Sequence, residues 1–133
     1  MKYPFIFFSF VLFTSCATNH IKTIEGKWKQ EFLSYKSENA IVPKTSEQAI
    51  INVKKVKKNL RIEFDFNDGY DIDQTDSIVF NYPQLRFRKI NLDKTSNYYS
   101  LIYNQNCDCF TGEMNSFSGN ILNIKLNRIP VTK

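Results

Sequence analysis

The chain has 133 residues, 42% of them hydrophobic, with a net charge of +5; this length supports a single domain with one modest core. It contains one histidine, His20, near the N-terminus, so neither a Ser-His-Asp nor a Cys-His site can be assembled within the body of the chain. General acid and base work would fall to carboxylates that cluster at one turn, and the chain is expected to be non-enzymatic and without a cofactor.

The N-terminus comes first in chain order. Lys2 precedes the apolar run Tyr3 to Phe13, which ends in Thr14-Ser15-Cys16. A bilayer span needs roughly 20 apolar residues, so this run is too short to cross and has the layout of a signal peptide. Leu12-Phe13-Thr14-Ser15-Cys16 resembles the lipobox of bacterial lipoproteins, in the loose Thr-Ser-Cys form of Bacteroidota. That resemblance implies cleavage before Cys16 and lipid attachment to its thiol; the alternative is a plain secretory peptide cut nearby. Removing residues 1–15 leaves 118, and only Lys2 among the charges goes with them, so the net charge falls to +4. The expected organisation is a signal peptide at 1–15, a lipidated tether at 16–23 and a domain at 24–133. Its place is the cell envelope, anchored by lipid to the outer membrane and facing the periplasm, since the residues after Cys16 lack the acidic stretch of surface-exported lipoproteins.

The body reads as antiparallel β. Leu60 to Asn67 alternates apolar and polar residues without a break, the period of a half-buried strand. Leu122 to Asn127 repeats the pattern, and Leu85 to Arg88 and Tyr99 to Tyr103 follow it more loosely. With turn residues at Lys57-Lys58-Asn59, Asn67-Asp68-Gly69, Asn81-Tyr82-Pro83, Asp93 to Asn97 and Asn115 to Gly119, strands are predicted near 25–35, 49–56, 60–67, 70–74, 77–81, 84–91, 97–104, 108–114 and 120–128. Ser37 to Ser46 is predicted as a long loop, and Thr45 or Ser46 as the cap of a short turn. Inward-facing residues are predicted to be Ile62, Phe64, Phe66, Leu85, Phe87, Leu101, Leu122, Ile124 and Leu126.

The two ends of the domain carry a family resemblance. Gly26-Lys27-Trp28 resembles the Gly-x-Trp opening of lipocalin-like barrels, and Phe117 to Arg128 resembles their last strand. The resemblance implies a single antiparallel up-and-down barrel of about eight strands, in which Trp28 plugs one end and Arg128 stacks on its indole. Leu60 to Asp68, Phe110-Thr111-Gly112 and Leu126-Asn127-Arg128 extend the similarity to small barrel domains of Bacteroidota envelope proteins, over residues 24–128.

Four other features have competing readings. Cys107 and Cys109 are either free thiols, a disulfide or a pair of ligands for a soft metal; residues two apart on an extended strand lie near 6.5–7 Å, so a bridge needs a turn from Asn104-Gln105-Asn106. The acidic run Asp65 to Asp76 reads as a hairpin turn with solvated flanks, and its spacing does not fit an EF-hand calcium loop. Lys54, Lys55, Lys57, Lys58 and Arg61 form a basic hairpin, either a solvated turn that protects a strand edge or a contact for anionic lipid or a partner. Tyr70, Tyr82, Tyr98, Tyr99 and Tyr103 either line a pocket or are ordinary strand residues.

Two functional expectations follow. In the first, an envelope lipoprotein binds a small apolar or amphipathic ligand inside its barrel. In the second, a solid barrel docks an envelope protein. In both, the membrane is a partner through the N-terminal lipid, and nucleic acid is not, for want of any recognised binding motif.

Overall fold

The computed structural model describes residues 20–21, 23–36, 49–66 and 74–132. Eight strands make one sheet: β1 (Gly26–Tyr35), β2 (Ile50–Val56), β3 (Asn59–Asp65), β4 (Gln74–Asn81), β5 (Gln84–Ile90), β6 (Ser96–Asn104), β7 (Cys109–Asn115) and β8 (Ile121–Arg128). Every pairing is antiparallel, in the order β3-β2-β1-β8-β7-β6-β5-β4. β8 thus returns to β1, Trp28 standing opposite Arg128, and the sheet curls into a nearly closed up-and-down barrel. Among the described residues no backbone ladder joins β3 to β4; the hydroxyl of Thr75 donates to the carbonyl of Ile62 across that seam at 2.6 Å.

The barrel has two distinct ends. The base carries the β2–β3, β4–β5 and β6–β7 turns, the N-terminal entry at His20 to Glu25 and the exit after Arg128. The mouth carries the other connections. Helical conformation among the described residues is confined to His20, Ile21, Thr23 and Ile24, and no helix there is long and apolar enough to cross a membrane.

Alternation puts the core where it was expected. Ile62, Phe64, Leu85, Phe87, Leu101, Leu122, Ile124 and Leu126 are buried, and Phe66 packs against them at the mouth. Strand bounds fall within two residues of the predicted ones, with one exception: residues 74–81 are a single strand. A β-bulge between Asp76 and Val79, with Ser77 at φ 54°, interrupts the alternation that suggested two strands. Residues 70–73 of the predicted 70–74 segment, the Ser37–Ser46 loop and the Thr45 or Ser46 cap lie outside the described residues.

Period two also divides the tyrosines. Tyr99 and Tyr103 are buried and face inward, whereas Tyr98 and Tyr82 are exposed, so these four do not line one pocket; Tyr70 lies outside the described residues. Gly112 has a packing reason: a Cβ there would lie 2.1 Å from the carbonyl oxygen of Ser100 on β6. At Gly112 the backbone of β6 therefore leaves no room for a side chain.

Candidate functional site

At the base, Trp28 is fully buried and its indole N–H donates to Ile24 O at 3.0 Å. Phe110 and Tyr103 meet the indole edge-on, at 4.8 and 6.3 Å between centroids. The Arg128 guanidinium covers the ring, its Cζ 4.1 Å from the centroid. Its Nε donates to Asp108 Oδ2 and its Nη1 to Glu25 O, both at 2.6 Å, and its Nη2 donates to Thr23 O. One arginine thus ties the last strand, the β6–β7 turn and the entering chain together.

Asp108 is the hub of this cluster, accepting also from the Tyr103 hydroxyl at 2.8 Å. Burial disfavours its ionised form, but the bonds from Arg128 and Tyr103 outweigh that and hold its carboxyl below the usual range. Desolvation and the bond to Asp108 together push the Tyr103 phenol up. Cys107 and Cys109 flank Asp108 and are joined as a disulfide, with Cα atoms 5.2 Å apart. The turn supplies that approach: Asp108 lies at φ 45°, outside extended strand geometry. The sulphurs are therefore engaged with each other, and the soft-metal reading has no free thiolates in this state.

The basic hairpin divides into two parts. Lys54 and Arg61 stand directly opposite each other across β2 and β3. Glu63 resolves that repulsion by pairing with both, at 2.9 Å to Lys54 and 2.8 Å to Arg61. Lys57 and Lys58 form the exposed turn, Lys57 at φ 56°. Lys55 is half-buried, and its backbone N–H donates to Glu25 Oε1 at 2.7 Å.

The open seam beside this hairpin is flanked by two clefts. One, of about 380 Å³, is lined by Ile21, Lys58, Leu60, Ile78 and Phe80 among others. The second, of about 420 Å³, lies between Arg61, Ile62, Glu63 and Gln74 to Asp76, with Ile90. Asp76 lines both and is held by a two-pronged contact from Arg88, through Nε at 2.7 Å and through Nη2. That bond, opposed by burial and aided by Ser77, lowers the Asp76 carboxyl; its counterpart raises the Arg88 guanidinium.

Two polar side chains face inward that the sequence reading did not single out. Gln30 is 3% exposed, and its Oε1 has no hydrogen-bond partner among the described residues. Lys89 is buried, its Nζ 4.6 Å from the Phe66 centroid and 5.2 Å from that of Phe64. Their signal was positional: Gln30 sits between inward Trp28 and Phe32, and Lys89 follows inward Leu85 and Phe87 at the same period. Asp108 carried no such signal, because its role depends on a turn.

Cys16 and residues 67–73 of the acidic run lie outside the described residues. Among the described residues no group of three or more His, Cys, Asp or Glu side chains is arranged to hold a metal ion. Comparison with protein-family models, with curated proteins and with solved structures gives no match.

Proposed function

We propose that this chain is a lipid-anchored envelope protein of lipocalin-like type that works by binding rather than catalysis, with a solid barrel that acts through its outer surface. The observation that carries this reading is the filling of the interior. Ile24, Trp28, Ile51, Phe110, Ile124 and Leu126 are all 0% exposed, so no water-sized void touches them and the interior around Trp28 has no room for a ligand. The clefts of ligand-binding size described above open along the β3–β4 seam, where an envelope protein partner would dock.

A second reading is favoured by Gln30 and Lys89. Lys89, a cation over two phenyl rings toward the mouth, is the polar group an amphipathic ligand entering there would meet first, and the Gln30 carbonyl oxygen, level with Leu126 and without a partner among the described residues, lies deeper along the same interior. Native mass spectrometry of the protein purified from the envelope separates the two. Under the solid-barrel reading the polypeptide carries only its acyl modification on Cys16. A further adduct lost on denaturation, and lost with Lys89→Met, replaces that reading with the ligand-binding one.

A further inference from the structure

We propose that the base of the barrel docks on an anionic lipid surface, so that the barrel stands with its mouth turned away from the membrane. The setting rests on the proposed anchor at Cys16, but the docking surface is argued from the base itself. The chain enters there: the His20 ring stacks on Tyr82 at 4.2 Å, which fixes the start of the described barrel against the β4–β5 turn. Cys16 precedes His20 by four residues, which span at most ~14 Å when extended. An acyl chain on Cys16 would hold the base within little more than one Debye length, ~10 Å at 0.1 M salt, of the headgroups.

The base is built for that contact. Lys55, Lys57 and Lys58 lie at the β2–β3 turn; Arg128 offsets Asp108, and Glu25, which accepts from the neutral Lys55 backbone N–H, leaves these base residues with an excess of two positive charges. Tyr82, an amphipathic ring of the kind that settles at headgroup level, is 40% exposed, and Val131 beyond β8 is 90% exposed. At the mouth the described charges pair with one another instead, Lys36 with Glu113 and Arg88 with Asp76. An anionic surface therefore favours contact through the base, and an excess of two positive charges favours the docked orientation by roughly 30-fold.

The test is a lysine footprint of the full protein bound to vesicles of phosphatidylcholine alone and of phosphatidylcholine with about 30 mol% phosphatidylglycerol, the regime of an anionic leaflet. A water-soluble acylating reagent is applied and its products are read by mass spectrometry. On anionic vesicles, Lys57 and Lys58 should be modified more than ~10-fold more slowly than on neutral ones, with Lys36 and Lys94 at the mouth end unchanged and the difference abolished by high salt. Equal protection of both ends, or none while the protein sediments with the vesicles, overturns the docking and leaves the anchor intact. Failure to sediment with neutral vesicles removes the anchor alone, since the footprint on anionic vesicles at low salt still reads the base.

Discussion

Replacing Arg128 by methionine keeps an unbranched side chain over Trp28 and deletes the guanidinium, so it isolates the polar work of the base. Three hydrogen bonds are lost, to Asp108, Glu25 O and Thr23 O. The Asp108 side chain is 48% exposed and regains water, so its loss costs only about 0.5–1 kcal/mol. The two carbonyls lose a charged donor in a half-buried setting, worth about 1–1.5 kcal/mol each. Contact with the indole face adds about 0.5–1 kcal/mol. Because the terms share one side chain they do not add in full, and we expect a net cost of about 3 kcal/mol, a fall in Tm of about 12 °C for a domain of this size. Trp28 is the only tryptophan, so urea unfolding followed by its emission reports directly on the site. Arg128→Lys should recover less than half of the loss, because an ammonium cannot reach three divergent acceptors. A midpoint shift worth under about 1 kcal/mol for Arg128→Met, with unchanged urea dependence, would refute the view that this arginine fastens the barrel.

Four further outcomes are expected. Gly112→Ala should cost about 3 kcal/mol or prevent folding, since its methyl meets the backbone of Ser100 and a β6–β7 shift is needed to admit it; circular dichroism and thermal melts read this. Opening the Cys107–Cys109 bridge, by reductant or by paired alanines, should lower stability by about 1.5 kcal/mol, the entropy of a three-residue ring, with calorimetry as the measure. The depressed carboxyls of Asp76, of Asp108 and of Asp93, the last lowered by bonds from the Thr95 hydroxyl and backbone N–H, contribute stability that is complete above the unfolded carboxylate pKa of about 3.9 and lost as pH falls through their lower folded values; the raised Tyr103 contributes below about pH 10 and loses it above. Urea midpoints should therefore drop at both extremes, and Tyr103→Phe should abolish the alkaline part. Finally, Gln30→Met should raise the midpoint by about 1 kcal/mol, because it removes a buried acceptor that has no partner among the described residues; a lowered midpoint would mean that the amide is engaged.

The strands were legible because burial on one face of a curved sheet imposes period two on the chain. Ile62, Phe64, Phe87 and Ile124 could be assigned to the interior from spacing alone. The pairing of Trp28 with Arg128 was anticipated from similarity to a known barrel type and not from spacing, since the two lie near opposite ends of the domain. Bulges and turns were less legible. Ser77 adopts a left-handed conformation that its residue type does not announce, and one strand consequently read as two. The same limit hid Asp108: nothing in Cys107-Asp108-Cys109 says that the middle carboxylate will turn back toward Arg128. Gln30 and Lys89 were masked by chemistry, because a polar residue at an inward position is ordinarily taken as a lapse in the pattern and not as part of the interior.

The pairing of β1 with β8 bears on how the chain reaches its native state. The first strand has two neighbours, and one of them is the last strand of the barrel in chain order. Until Leu122 to Arg128 arrives, the edge of β1 has no partner there, Trp28 lacks its cover and the carbonyls of Thr23 and Glu25 lack their donor. Contacts spanning almost the whole chain carry a large loop-closure entropy and place such folds among the slower ones, in the range of milliseconds to seconds. The barrel therefore stays open at β1 until β8 is in place, and no partial chain lacking β8 can close the sheet around Trp28.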